Sequence, residues 1–198
     1  MPRPAGASKA GKMTIVLAFD IATTSGWAVT DKGGGPAWGH FGIESDSDEN
    51  NNGRALYHFR REVYRLIDKY KPTVLAWEMP IPASKHTAAY DEYVKGGIGI
   101  LRCFAFELDL QTLPCDLKSV RRHFIGGNPA DAKQQVWHRC KVLGYDCKND
   151  DESDAIATWD YASGQLKVQA YGRAANRFSR QESRRDFASR RSFGHRRP

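Results

Sequence analysis

Long apolar runs are missing from this chain. No stretch approaches the ~18 consecutive apolar residues that a membrane span requires. The basic N-terminal residues are not followed by the apolar run of a secretory signal, so a cytoplasmic protein is expected. Cysteine is sparse as well: Cys103, Cys115, Cys140 and Cys147 include no C-x-x-C pair and no histidine at zinc-finger spacing. Cys140 and Cys147 lie seven apart, which suits neither a zinc knuckle nor a ribbon. Reduced, mostly buried thiols are the expectation, and a disulfide scaffold is excluded. No internal repeat or heptad pattern is visible. What remains is a globular domain of ordinary size with tails, since 198 residues with 40% hydrophobic content can bury a core.

Charge is distributed unevenly. The net charge is +7, yet residues 13–165 carry 17 basic and 21 acidic side chains. The excess sits at the ends, in Arg3, Lys9 and Lys12 and in the stretch from Lys167 to Pro198, with ten basic residues against two acidic ones. Arginine dominates that second stretch, interleaved with Tyr171, Phe178, Phe187 and Phe193. Guanidinium groups grip phosphate through two hydrogen bonds, so the pattern suits a nucleic-acid-binding arm, with a solubilising tail as the plainer reading. We therefore divide the chain into a basic N-terminal arm (1–12), a folded domain (13–166) and an Arg-rich tail (167–198).

Within the folded part, Thr14–Asp20 is a short apolar run typical of a buried strand. Two further strands are expected over Gly26–Thr30 and Ala37–Ile43, with short turns that favour antiparallel hairpins. Helical spacing of Ala55, Phe59, Val63, Leu66 and Ile67 runs to about Tyr70, and Thr73–Trp77 is a fourth strand. A long helix is expected over Ser84–Leu108; Gly96, Gly97 and Gly99 either weaken it or admit a close neighbour. Leu110–Leu113 is a weak fifth strand that Pro114 should end. Helices over Leu117–Ile125, Asp131–Leu143 and Asp151 to about Ser163 complete the domain. This order describes an α/β fold with a mixed five-stranded sheet, three strands antiparallel and two parallel, flanked by helices.

Four carboxylates occupy strand and helix ends. Asp20 closes the first strand and Glu78 the fourth. If those strands are parallel neighbours, the two acids lie together at the carboxyl edge of the sheet, where sites in open α/β folds form. Asp151 and Asp154 open the last helix, and a spacing of three lets both point at one spot. Converging carboxylates raise one another's pKa, and hard divalent cations are their natural counter-charge. Two ions ~3.5–4 Å apart support in-line phosphoryl displacement. Each acid has a plainer reading alone: Asp151 as a helix N-cap with Asp154 in the first turn, Asp20 as a turn cap, Glu78 as a surface residue. Their joint placement favours a metal site. Lys118, Arg121 and Arg122 precede Gly126-Gly127-Asn128, and Lys133 opens the next helix. Such residues form either a DNA backbone track or an ordinary solvated face.

Four segments carry a family resemblance over residues 14–163: IVLAFDIATTSGWAV, VLAWE, LKSVRRHFIGGNPADAKQQV and DDESDAIATWDYA. Together they resemble the RuvC-type Holliday junction resolvases of the ribonuclease H-like nuclease superfamily. The resemblance implies a crossover junction endodeoxyribonuclease that nicks branched DNA in pairs as a homodimer. It implies two Mg²⁺ ions, with Mn²⁺ as the alternative, held by Asp20, Glu78, Asp151 and Asp154. The family's basic positions fall on Lys118 and Lys133, implying contact with DNA phosphate or charge stabilisation at the scissile group. The family's junction-inserting aromatic, three residues after the glutamate, is Ile81 here; Ile can wedge between base steps but not stack. Tyr90 and Tyr93 are the nearby aromatics. Together with the arginine tail this departure suggests a phage-type relative, working in a bacterial or phage-infected cell and cutting branched DNA more broadly. The rival reading is a non-catalytic DNA-binding or packaging module using the basic tail. An actin-like or sugar-kinase ATPase, suggested by DIATTSG, would need a second phosphate-binding half that this length leaves no room for.

Overall fold

The computed structural model describes residues 13–31, 35–42, 52–80 and 87–168. The N-terminal arm, Ile81 and all but two residues of the arginine tail lie outside the described residues. Residues 1–162 make one compact unit and 163–198 a second, of which 163–168 are described and are helical.

Five strands form one sheet: β1 (Val16–Asp20), β2 (Thr24–Thr30), β3 (Pro36–Gly42), β4 (Val74–Glu78) and β5 (Gln111–Cys115). Their order is β3-β2-β1-β4-β5. The β1–β2 and β2–β3 pairs are antiparallel, and β1–β4 and β4–β5 are parallel. The helices are α1 (Asn52–Tyr70), α2 (Ala88–Glu107), α3 (Leu117–Ile125), α4 (Ala132–Val142) and a last one, α5, over residues 150–168. The mixed sheet expected from the strand order is present. No described helix is long and apolar enough to cross a membrane.

The two central strands are apolar on both faces because helices cover both. On one face Leu17, Phe19, Leu75 and Trp77 pack against Phe59, Val63 and Leu66 of α1 and Tyr93, Val94 and Leu101 of α2. The spacing of the α1 residues is one helical stripe, which is why α1 forms and which side it buries. Gly96 lets α2 close on α1: a methyl there would lie 2.7 Å from Leu56. Gly96 and Gly97 thus admit a close neighbour, one of the two roles open from sequence, whereas Gly99 faces open space.

The opposite face is lined by small residues. Ala28, Ala18 and Ala76 stand in one register row across β2, β1 and β4, and all three are fully buried. That shallow row seats α5, where residues 152–159 are buried without a break. Trp159 Nε1 donates to Thr30 Oγ1 at 3.0 Å, fixing one end of the helix against β2.

Several boundaries differ from the expected ones. β5 runs through Pro114 to Cys115 rather than stopping at Leu113. As the outer strand of the sheet it can carry a proline where no ladder N–H is required. α2 starts at Ala88, because Thr87 Oγ1 accepts from Tyr90 N at 3.2 Å and caps it there. α5 continues to 168, past Gly164, since one glycine costs a helix only about 1 kcal/mol. Three of the cysteines are buried, Cys103 is exposed, and all four are free.

Candidate active site

Two residues beyond the alanine row, the same face of the sheet turns polar. Asp20 pairs with Gly26 of β2, and Glu78 follows Trp77, the partner of Phe19. Side chains alternate along strands, so Asp20, Gly26 and Glu78 face the same way as Ala18, Ala28 and Ala76, towards α5. Gly26 is a glycine for a steric reason: a methyl there would stand 1.9 Å from the Asp151 carbonyl oxygen. The bare backbone of β2 therefore lets the first turn of α5 come down beside Asp20. Replacing Gly26 with alanine should push this turn outward and cost about 1–3 kcal/mol of stability, read by urea unfolding, with a loss of any activity that needs Asp151 and Asp154 in place.

Asn149 caps α5, its Oδ1 accepting from Glu152 N at 3.0 Å. The cap role open to Asp151 from sequence is thus taken by Asn149. Asp151 and Asp154, one turn apart, line a cleft of about 340 Å³ together with Asp20 and Glu78. Arg121 of α3, Lys133 of α4 and Tyr90 of α2 line it too, with Ile21, Val94 and Leu117 among its apolar walls. Five of the residues singled out in sequence for catalysis thus share one cleft. Lys118 and Arg122 are exposed on α3 and are not among its lining residues.

The cleft is electrostatically loaded. Burial, then Glu78, Asp154 and Asp151, hold the Asp20 carboxyl well above the usual carboxylate range, with Lys133 opposing. Glu78 is pushed up to about 7, by burial first and Asp154 next, against Arg121 and Lys133. Asp154 is raised to about 6, again by burial, with Lys133 and Arg121 pulling it down. Asp151 is raised by burial while Lys133 and His40 work against the shift. The Tyr90 phenol is raised by burial and by Asp20, Asp151 and Glu78.

Among the described residues, Arg121 has one hydrogen-bond partner. Its Nη1 donates to Asn128 Oδ1 at 3.2 Å, while its Nε is buried without a protein partner. A guanidinium so tethered has donors left for an oxyanion in the cleft.

Among the described residues lining the cleft the donors are carboxylates, with no thiol or imidazole, which is the ligand chemistry of a hard divalent cation. As placed, no group of three or more His, Cys, Asp or Glu side chains among the described residues is drawn together tightly enough to hold an ion.

No protein-family model matches the chain, and no curated protein matches it. Solved structures do. The Thermus thermophilus RuvC bound to a Holliday junction substrate superposes with a TM-score of 0.61 at 14% identity, covering 79% of this chain and 96% of that one. Another Thermus thermophilus RuvC structure gives 0.58 at 15% identity, covering 79% and 97%. The chain has the RuvC-type resolvase fold. The crystal structure of the yeast mitochondrial Holliday junction resolvase is similar as well, at 0.56 and 12% identity over 84% of this chain and 83% of that one. The RuvC-type sheet is the one assembled above, so the fold expected from the four sequence segments is the one found.

Sequence reading passed over three residues that build this site. Gly26 is visible only as a turn-forming residue until its contact with Asp151 is known. His40 and Glu152 form a 2.7 Å pair across 112 residues of chain. The one sequence signal for Glu152 was its place between two acids, and His40 gave none.

Proposed function

We propose that the chain is a metal-dependent endonuclease that resolves Holliday junctions or related branched DNA by paired nicks. The observation that carries this reading is the gathering of four carboxylates and two cations in one cleft at the carboxyl ends of β1 and β4. A pure DNA-binding module has no use for four acids beside phosphate, which is why the catalytic reading is preferred. The likeness to RuvC bound to a junction supports the choice of substrate.

Asp20, Glu78, Asp151 and Asp154 would hold two Mg²⁺ ions, with Mn²⁺ as the alternative. Bound ions would supply Lewis acidity and an acidified water for in-line displacement at phosphorus. Lys133 and Arg121 bring positive charge to the non-bridging oxygens of the scissile phosphate, where charge builds as the bond breaks. Tyr90, on the cleft wall, is the aromatic that would stand in for the junction-inserting ring that position 81 does not supply. Lys118 and Arg122, exposed on α3, track the backbone further out.

Two nicks related by two-fold symmetry require two sites, so the working form is a homodimer. The outer side of α2, with Gly99, Arg102, Cys103 and Phe106 exposed, is the proposed contact. The basic segments 1–12 and 167–198 would add affinity for all DNA alike by releasing counterions.

The decisive experiment is cleavage of labelled four-way junction, Y-fork and linear duplex with Mg²⁺ or Mn²⁺. Paired, ligatable junction nicks that disappear in Asp154→Asn are expected. Cutting of forks and junctions alike would broaden the substrate to branched DNA in general. Binding without cutting under every condition would overturn the nuclease reading.

A further inference from the structure

The register row that holds Asp20 and Gly26 continues outward to His40 of β3, the partner of Gly26. β3 is the edge of the sheet, and His40 Nδ1 lies 2.7 Å from Glu152 Oε1. The Glu152 side chain is only 4% exposed, against 35% for His40. The second carboxylate oxygen accepts from Lys148 N at 2.8 Å. Glu152 thus ties three things together: the edge strand, the loop before α5 and, through its own N–H on Asn149, the helix cap. It stands between Asp151 and Asp154 in sequence but is not among the residues lining their cleft.

A buried carboxylate is an expensive way to glue a helix to a sheet. An apolar pair of similar volume would hold it as well or better, because desolvating the charge offsets much of the attraction. What a hydrogen-bonded pair adds is direction. Gly26 offers no side chain against which the first turn of α5 could register, so that turn needs a directional anchor from elsewhere. We propose that His40 is a positioning residue that acts through Glu152 to set where Asp151 and Asp154 stand relative to Asp20 and Glu78. The inference rests on the metal-dependent reading above and deepens it. Outer groups that orient ligands typically control metal affinity by about 10–100-fold.

The test is titration of the full-length protein with Mn²⁺, followed by electron paramagnetic resonance, alongside the Mg²⁺ concentration giving half-maximal junction cleavage. His40→Ala should weaken Mn²⁺ binding by at least about tenfold and raise the Mg²⁺ requirement in parallel. His40→Asn, whose amide N–H can replace Nδ1–H, should restore both to within about threefold of wild type. Glu152→Ala, which also loses the bond from Lys148 N, should weaken Mn²⁺ binding at least as much as His40→Ala, and the double variant should be no worse than Glu152→Ala alone, as expected when His40 acts through Glu152. If His40→Ala is unfolded by circular dichroism, His40→Phe keeps a ring without the donor and takes its place. Unchanged Mn²⁺ affinity in the donor-less variant would overturn the positioning role while leaving the nuclease reading intact. A loss in His40→Asn equal to that in His40→Ala would overturn it as well, marking the histidine as packing only. Failure of the wild-type protein to bind Mn²⁺ would overturn both.

Discussion

Asp20→Asn is expected to lower DNA cleavage by at least about a thousandfold, some 4 kcal/mol of transition-state stabilisation, and to make the ion-free protein melt at a higher temperature. Both effects come from the same geometry. Asp20 is the acid that feels the charge of the other three, and burial together with those neighbours holds its carboxyl well above the ordinary range. Neutralising it removes the repulsion and the cost of keeping a charge out of water. It would also remove one of the four carboxylates proposed to hold the metal ions. The pH dependence has the matching sign. Burial pushes Glu78 up to about 7 and Asp154 up to about 6, above the ordinary 4.5 and 3.8. The folded chain therefore binds protons more tightly than the unfolded one. The stability this contributes is full below about pH 4 and is lost as pH rises through 6 to 7. Without divalent ions, thermal melts should fall on going from pH 5.5 to pH 8, and Mg²⁺ or Mn²⁺ should restore the midpoint at pH 8. A melt that rises with pH, or an Asp20→Asn protein that keeps cutting, would contradict this account.

Arg121→Ala is expected to slow junction cleavage by about 10²–10³-fold, the usual consequence of deleting one preorganised donor to a developing oxyanion. Arg121→Lys should recover little of it. An ammonium can supply charge, but it cannot both hold Asn128 Oδ1 and present further N–H groups in a fixed fork, as the guanidinium does here. Single-turnover cleavage with added guanidinium chloride is the sharpest check, since the small cation should partly rescue the alanine variant and leave the lysine variant unchanged. Asn128→Ala should weaken cleavage less than Arg121→Ala, because it loosens the group without deleting it. Equal activity of the lysine and arginine proteins would reduce Arg121 to a contributor of bulk charge.

Much of this was legible before any coordinates. A β-strand ending in an acid, repeated at Asp20 and Glu78, announces a carboxyl-edge site as soon as the strands are taken as parallel neighbours. Asp151 and Asp154 declare themselves by their spacing. Strand boundaries were less legible where sheet pairing overrides a local signal, as at the exposed Pro114, which an edge strand tolerates. The choice between Lys118 and Arg121 depends on how α3 is rolled against the sheet. That roll is set by Val120 and Phe124, which are buried, and it turns Arg121 inward while Lys118 stays outside. His40 and Glu152 were invisible for another reason. Their contact exists only through the combined register of β3 on β2 and β2 on β1, a product of two pairings that no local pattern encodes.

The parallel pairing of β1 with β4 has a consequence for the order of assembly. Hairpins among β1, β2 and β3 can close locally, but Ile15 meets Thr73 only by bridging 58 positions of chain, and α5 docks across a longer span still. Contacts at such separation form late, because loop closure must come before they can contribute. An incompletely folded or truncated chain therefore carries its four acids apart and has no assembled cleft. If the chain cuts DNA as proposed, that competence would arrive only with the finished fold.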